Sequence, residues 1–239
     1  MGRLFPQPRI LVGLLLWALL AGPALAQTPM RIISLAPNVT EVLYDLGLGE
    51  QVVAVSRYCN YPPSVKAKPK IGGMSNPSLE VIIAMKPDRV VLTDDGNPRE
   101  IEQRLRGLGI RTYVFRAKRL EDLAGEIRSL GKDLQVPERA DRSAHRIEAA
   151  IRRYAKTAQS SPAGSPKKIL FVVQPEPLMV AGPRTAIDDV LKLLGLQNIA
   201  ANATMEYPRY SLEEVIRQSP DIILIGKGHD DMQAQSRRH

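Results

Sequence analysis

The sequence predicts an α/β protein with two similar lobes, because a helix–strand unit occurs twice and strands alternate with helices along the chain. The first copy begins at Ser78-Leu79-Glu80 and its helix stops at Pro87-Asp88; the second begins at Ser211-Leu212-Glu213 and stops at Pro220-Asp221, at a constant offset of 133 residues. In each copy a serine can cap the helix, a proline stops it and a β-branched strand follows. The period is too long for a solenoid, so we expect two lobes.

The amino terminus has the composition of a secretory signal peptide. Two arginines precede the apolar run Ile10–Leu20, and Ala24-Leu25-Ala26 supplies small residues for cleavage. We therefore assign residues 1–26 to a signal peptide and expect the mature chain to begin at Gln27. The apolar run is shorter than the ~20 residues that cross a bilayer, so we do not expect a membrane-embedded protein.

The first half of the mature chain predicts a parallel sheet with helices on both faces. Asn38 and Glu41 have the spacing of a capping box, and Gly47 can end the helix that they begin. The loop of residues 56–77 is longer than a connection needs, and long loops on a rigid frame often carry function. The predicted elements are strand Arg31–Leu35, the helix ending at Leu46, strand Val52–Val55, the first repeat helix, strand Arg89–Leu92, helix Arg99–Leu108, strand Arg111–Phe115 and helix Leu120–Leu134.

A long helix is predicted from Pro137 to about Ala158, because this stretch has no internal Gly or Pro. At 1.5 Å per residue it would reach ~30 Å, which is enough to bridge two lobes. We therefore assign residues 27–136 to the first lobe, 137–159 to a bridging helix and 160–239 to the second lobe. The second lobe is predicted to contain strands Lys168–Val173, Leu178–Val180 and Asp221–Ile225 and helices Ile187–Leu194 and Leu212–Gln218.

Composition argues against several classes of function. After residues 1–26, 31 basic and 25 acidic side chains leave a diffuse net charge of +6, without the basic stripe of a nucleic-acid binder. The single cysteine, Cys59, cannot form an internal disulfide, and we interpret it as a partly buried thiol. Histidines are few, no metal-ligand spacing occurs and no Gly-rich phosphate loop follows the first strand, so an enzyme is the least favoured class. The stretch of residues 94–97, Asp-Asp-Gly-Asn, follows the carboxyl end of a predicted strand, where α/β proteins bind ligands, but a polar turn is the favoured interpretation.

Four motifs together resemble a known family. They are the string of residues 33–41, the segment of residues 55–63, the pair Gly72-Gly73 and the two Ser-Leu-Glu helices. In this order, from Arg31 to about Asp230, the chain resembles the periplasmic substrate-binding proteins of ABC importers for cobalamin, haem and ferric siderophores, and most of all the cobalamin-binding branch.

The resemblance implies two Rossmann-like lobes joined by one long rigid helix, with a metal chelate held between the lobes. It implies a periplasmic monomer that has no intrinsic cofactor and that delivers its ligand to an ABC permease dimer with its ATPase. Members of the family continue beyond the position of Asp230. We therefore expect a C-terminally truncated chain with an incomplete second lobe that exposes apolar sheet surface.

The resemblance also implies ligand-binding positions. Tyr58 and Tyr207 occupy aromatic positions on the two lobes, whereas Met74 and Thr93 stand where the cobalamin protein has tryptophans. Arg209, together with Arg57 and Lys227, is a cationic candidate for an anionic siderophore. The alternatives remain open that Tyr58 packs on its own loop and that Tyr207 is a surface residue.

The identity of the chelate also stays open. A cobalt corrinoid is the first prediction, and haem or a ferric siderophore is the alternative. Haem usually requires a His or Tyr axial ligand. Tyr58 could provide one, and His229 is the histidine whose position could approach the cleft, although a surface histidine is the favoured interpretation. We predict no resident metal site.

Two glutamates are candidates for docking to the permease. The resemblance implies that Glu80 and Glu213, one on each lobe, bind the two permease subunits, and a two-fold symmetric partner would require such equivalent charges. The alternative is that each is a first-turn carboxylate favoured by the helix dipole, which is worth ~0.3 to 1 kcal/mol. A sensor or adaptor on the same fold is a further, less favoured alternative to transport.

Overall fold

A computed structural model describes residues 29–159 and 165–226, and every structural statement below concerns these residues. Contacts divide the chain into residues 1–30 and 31–239, and the fold is that of the second unit. The predicted signal peptide lies outside the described residues. The first sheet has four parallel strands in the order β2-β1-β3-β4. They are β1 (Ile32–Ser34), β2 (Val52–Val55), β3 (Arg89–Thr93) and β4 (Thr112–Phe115).

Four α-helices and a short 3-10 helix, Pro63–Ala67, accompany the first sheet. The helices are α1 (Pro37–Asp45), α2 (Leu79–Ala84), α3 (Arg99–Gly107) and α4 (Leu120–Asp133). Together they bury an apolar core against the sheet, in which each large aliphatic side chain contributes roughly 1.5–3 kcal/mol. Its buried members include Ile33, Leu35, Ile82, Leu92 and Leu105.

The start of α1 differs from the prediction. Ala36 is the N-cap residue and Pro37 occupies the first turn, so Asn38 lies inside the helix and its Oδ1 accepts from the Val39 N–H at 2.9 Å. The predicted capping box is therefore wrong, because the proline, whose φ already suits a first helical position, begins the helix one residue before Asn38. The predicted stop is confirmed, since Gly47 has a φ of 71°.

Helix α5 (Pro137–Gln159) is the long helix that the sequence predicts, and it follows α4 directly. The two helices approach so closely that a Cβ on Gly131 would clash with Ala140. Asp45, at the end of α1, accepts hydrogen bonds from Ser143 and from Arg146, the latter at 2.6 Å. The amino-terminal half of α5 is therefore fastened to the first sheet and its helices, which we call the first lobe.

The second lobe follows α5 and contains a smaller sheet. Its strands are β5 (Lys168–Gln174), β6 (Met179–Val180), β7 (Gln197–Asn198) and β8 (Ile222–Ile225), and its helices are α6 (Ala186–Leu193) and α7 (Leu212–Gln218). Strands β7 and β8 run parallel to β5, and β6 runs antiparallel to it. Ile169 pairs with both Asn198 and Ile222, so β7 and β8 lie on opposite edges of β5. The short β7 was not predicted.

The sequence repeat is also a repeat of hydrogen bonds. The Ser78 and Ser211 hydroxyls cap α2 and α7 by accepting from backbone N–H groups at 3.3 and 3.2 Å. After the proline, Asp88 accepts from the Arg31 N–H at 2.8 Å, and Asp221 accepts from the Lys168 N–H at 2.7 Å. Each aspartate thus holds the first strand of its own lobe beside the repeated strand, a role that the sequence analysis did not assign.

Strand β8 exposes apolar side chains. Its four residues are 39–58% exposed, and on the preceding helix Leu212 and Ile216 are more than 70% exposed. The expected apolar sheet surface in the second lobe is therefore present.

Candidate functional site

The loop after β2 carries Tyr58 at the carboxyl end of the first sheet. The Arg57 N–H donates to the Gly72 carbonyl oxygen at 2.8 Å, which joins this loop to the Gly72-Gly73 pair. A Cβ on Gly73 would lie 3.6 Å from the Tyr58 ring and 3.6 Å from the Arg57 guanidinium. Gly73 therefore lies directly against the half-buried Tyr58, and the two loops form one surface.

Met74 extends this surface towards the loop after β3. Gly96 has a φ of 112°, and a Cβ there would lie only 2.6 Å from the Met74 methyl carbon. Asn97 Nδ2 donates to the Met74 carbonyl oxygen at 2.8 Å. The structure thus brings Tyr58 and Met74, two of the predicted ligand-binding residues, onto adjoining segments at the same edge of the sheet.

Thr93 lies beneath these loops and is only 3% exposed. Its Oγ1 accepts from the Asp95 N–H at 3.3 Å, and its own N–H donates to Asn97 Oδ1 at 2.9 Å. Thr93 therefore shapes the turn of residues 94–97, and its buried side chain offers little surface to a ligand. It borders a cavity of about 510 Å³ that Arg99 and Arg116 also line.

Tyr207 reaches from the second lobe to the turn after β3. Its hydroxyl donates to Asp95 Oδ2 at 3.3 Å, and Lys118 Nζ lies 4.0 Å from carboxylate oxygens of both Asp94 and Glu206. Burial, followed by the Asp95 carboxylate and then by Glu206, raises the pKa of Tyr207 to about 12. The phenol is therefore protonated at neutral pH and acts as a hydrogen-bond donor to Asp95.

A second polar link joins the lobes near α5. Arg119 donates to both carboxylate oxygens of Asp189 at 2.6 and 2.7 Å, and the Leu120 N–H donates to the same carboxylate at 3.0 Å. Burial alone would raise the pKa of Asp189, but the hydrogen bonds from Arg119 and Leu120 outweigh it, so this pKa lies below its usual value. This bidentate pair fixes α4 relative to α6.

Sequence reasoning missed both links. The residues that form the second link are 70 positions apart in the chain, and Tyr207 and Asp95 are 112 apart. Asp95 lies in the Asp-Asp-Gly-Asn stretch, whose position after a strand was the one available signal.

Arg209 lies beside β6, where it forms an isolated backbone bridge with Met179. Its side chain is exposed, and among the described residues no ion pair neutralises it. Two other candidates, Lys227 and His229, lie outside the described residues.

Cys59 supports the Tyr58 loop from below. It is 2% exposed, and its Sγ lies 3.1 Å from Thr40 Oγ1 and 3.2 Å from Ser56 Oγ. The Lys70 ammonium donates to the Cys59 carbonyl oxygen at 3.0 Å. The thiol is thus more deeply buried than the sequence interpretation held, and it packs within a cluster of hydroxyl groups.

Glu80 and Glu213 occupy equivalent places in the first turns of α2 and α7, and both side chains are exposed. A hydrogen bond from its own backbone N–H, and then one from Ser211, lower the pKa of Glu213. This carboxylate is therefore ionised at neutral pH. Both glutamates are placed where an approaching protein could contact them.

Residues 29–159 and 165–226 contain no group of three or more His, Cys, Asp or Glu side chains arranged to hold a metal ion. Within the same residues, no helix is long and apolar enough to cross a membrane.

Sequence comparison identifies relatives along most of the chain. The chain is 32% identical over 223 residues to the vitamin B12-binding protein of Pectobacterium carotovorum subsp. carotovorum (strain PC1), a match that covers 92% of this chain and 80% of that protein. It is 33% identical over 223 residues to the vitamin B12-binding protein of Yersinia pseudotuberculosis serotype O:1b (strain IP 31758), covering 93% of this chain and 77% of that protein.

Solved structures with the same fold include proteins with two different ligands in their names. The periplasmic vitamin B12-binding protein BtuF of Vibrio cholerae has a TM-score of 0.73 at 29% identity, over 87% of this chain and 79% of that one. The apo form of the periplasmic haem-binding protein RhuT from Roseiflexus sp. RS-1 has a TM-score of 0.76 at 31% identity, over 83% and 76%. The predicted fold class and family resemblance are thus confirmed. A family model for periplasmic binding proteins matches residues 32–237. This chain therefore belongs to the periplasmic binding protein family.

Proposed function

We propose that this protein captures a cobalt corrinoid of the cobalamin type between its two lobes and delivers it to an ABC permease. The observation that carries the proposal is the similarity, over 92% of the chain, to a vitamin B12-binding protein. The continuous surface of Tyr58, Gly73 and Met74 supports it, because an aromatic ring and a flexible thioether can cover the broad face of a macrocycle.

Tyr207 would form the facing wall of the site. Its hydroxyl donates to Asp95 Oδ2, and a ligand that enters between the two side chains would replace this hydrogen bond with contacts to the tyrosine ring. Arg209, on the same lobe, is free to meet an anionic group of the ligand. Thr93 would act indirectly, through the turn that presents Asp95.

The test is thermal unfolding of the full exported chain, purified from the periplasm, with and without cyanocobalamin. At a ligand concentration of about one hundred times Kd, binding adds about 2.7 kcal/mol of apparent stability. A higher Tm with cyanocobalamin supports the proposal, and an unchanged Tm at saturating cyanocobalamin contradicts it.

Haem is the second candidate, because the structural relatives include a haem-binding protein at 31% identity. Tyr58, on the loop after β2, could coordinate the haem iron, because tyrosine is a known haem ligand. Titration with hemin separates the two ligands. A Tyr58→Phe variant that loses a hemin absorption band but keeps its affinity for cyanocobalamin would assign Tyr58 to haem coordination.

We also propose that Glu80 and Glu213 dock the protein onto the two subunits of the permease. The equivalent capped first turns on which they stand support this role. The double variant Glu80→Ala with Glu213→Ala should lose binding to the permease–ATPase complex while ligand affinity is unchanged. The matched control is Glu138→Ala, because Glu138 is an exposed first-turn carboxylate of α5 outside the repeat. Equal permease binding by the double variant and the control would refute docking through these residues.

We also propose that the protein is exported to the periplasm, with cleavage of residues 1–26. Amino-terminal sequencing of the periplasmic protein should begin at Gln27.

A further inference from the structure

Asn97 connects three separate segments at the carboxyl edge of the first sheet. Its Oδ1 accepts from the Thr93 N–H at 2.9 Å, and its Nδ2 donates to the Met74 carbonyl oxygen at 2.8 Å and to the Leu35 carbonyl oxygen at 3.3 Å. The side chain is 9% exposed, so these are its main partners. One carboxamide thus joins the segments that follow β1, β2 and β3.

The amide orientation follows from its neighbours. Two carbonyl oxygens face Nδ2 and one N–H faces Oδ1, and the flipped orientation would place oxygen against both carbonyls. Aspartate has almost the same shape but no donor at neutral pH, so it would repel the same two carbonyl oxygens. The site therefore requires an amide rather than merely a polar side chain of this size.

The segments that Asn97 holds are those that carry the candidate ligand-binding residues. Met74 is bound through its own backbone, and its side chain packs on Gly96, next to Asn97. Gly73, before Met74, lies against the Tyr58 ring. A shift of the Asn97 amide would therefore move Met74 and Gly73, and with them the surface on which the Tyr58 ring packs.

We propose that Asn97 is a positioning residue for ligand binding, which fixes the spacing between the Tyr58 loop, Met74 and the turn after β3 before the ligand arrives. This inference rests on the proposed function. When the loops that form the binding surface are already ordered, binding does not have to pay the entropy of ordering them. The Asn97 amide therefore increases ligand affinity by holding these loops in place.

The experiment compares Asn97→Asp with a control variant that weakens the same lobe elsewhere. Leu105 is a completely buried core residue of α3 and makes none of the hydrogen bonds of Asn97, so Leu105→Ala provides the control. Affinity for cyanocobalamin is measured by calorimetry on the full exported chain well below its Tm, and hydrogen exchange of residues 57–74 is measured without ligand.

We expect Asn97→Asp to bind cyanocobalamin about tenfold more weakly or worse, as the loss of ordinary hydrogen bonds to two loops implies. Exchange in residues 57–74 should be faster than in the unmodified chain. Leu105→Ala should lower Tm while affinity and loop exchange stay as they are. If Asn97→Asp does not fold, the uncharged Asn97→Ser, which cannot span to both carbonyl oxygens, takes its place with the same expectations.

Three results would overturn the inference: unchanged affinity with unchanged exchange, weakened affinity with unchanged exchange, or equal effects of Leu105→Ala on affinity and exchange. The second would indicate that Asn97 contacts the ligand directly. Failure of the unmodified chain to bind cyanocobalamin would instead count against the proposed ligand. The exchange measurement, which uses no ligand, would still decide whether Asn97 holds the loops.

Discussion

Strands β3 and β8 follow the same sequence signal but lie in opposite environments. Each comes after a Ser-capped helix, a left-handed residue (Lys86 or Ser219) and a Pro-Asp pair. Yet β3 is almost wholly buried between β1 and β4, whereas all four residues of β8 are exposed and β8 pairs with β5. The local pattern thus determines the type of element, and the neighbouring strands determine how much the element contributes to stability.

The largest effect on stability is expected from substitutions at equivalent positions of the two strands. Leu92 is 1% exposed and Ile225 is 58% exposed. We expect Leu92→Ala to cost about 2–5 kcal/mol of unfolding free energy and Ile225→Ala less than about 1 kcal/mol, because only the first opens a cavity in a packed core. Urea unfolding of both variants is the measurement. Equal losses would mean that β8 is covered in solution.

The ion pair between the lobes tests whether the second lobe depends on the first. Asp189→Asn should cost on the order of 1–2 kcal/mol, because it weakens three hydrogen bonds at a site partly open to solvent. It should also separate the unfolding of the two lobes, seen as different midpoints by circular dichroism and by hydrogen exchange. The midpoints should coincide in the unmodified chain.

The same pair has a defined pH dependence. The pKa of Asp189 is lowered in the folded protein, so its stabilisation is complete above the unfolded pKa of about 4 and is lost as the pH falls through the lower folded value. The difference in unfolding free energy between the unmodified chain and Asp189→Asn should therefore be constant from about pH 5 to about pH 8, a range that begins roughly one pH unit above the unfolded pKa. It should shrink below about pH 4. A difference that grows on acidification would contradict this assignment.

The two helix caps give a smaller effect. Replacement of an N-cap serine by alanine usually costs about 1 kcal/mol. We expect this value for Ser78→Ala, because α2 buries Ile82, and less than half of it for Ser211→Ala, because α7 buries no residue and can fray alone. Thermal unfolding of both variants tests this order, and a larger loss for Ser211→Ala would reverse our interpretation of α7.

The smallest effect is expected at the left-handed residues. Lys86 and Ser219 have φ values of 45° and 47°, a conformation that glycine adopts without steric cost. Lys86→Gly and Ser219→Gly should change stability by no more than about 1 kcal/mol, with relief of strain opposed by the entropy of the unfolded glycine. Similar values for the two variants would show that this turn is a local feature, independent of burial.

Sequence patterns predicted most elements because their signals are local. Capping serines, stopping prolines and β-branched runs lie within a few residues of the elements that they define, and the uninterrupted stretch from Pro137 predicted α5. The errors also have local causes: Pro37 moved the start of α1, and the two residues of β7 carry no periodic pattern.

The candidate site was less predictable than the fold. Family resemblance indicated Tyr58 and Tyr207, but the contacts between Tyr207 and Asp95, and between Arg119 and Asp189, depend on how the lobes meet. Likewise, Asn97 lies in a polar turn, and its function becomes visible only when Leu35 and Met74 are brought to it.

Cys59, the chain's single cysteine, makes it possible to measure how often its part of the molecule opens. Its thiol lies 2% exposed under the Tyr58 loop, so a thiol reagent can reach it only when that part of the molecule opens. The speed of modification thus reports how often the loop lifts from the sheet, without any added label. A ligand bound against Tyr58 should slow this modification. The modification rate would therefore report the fraction of the protein that has ligand bound.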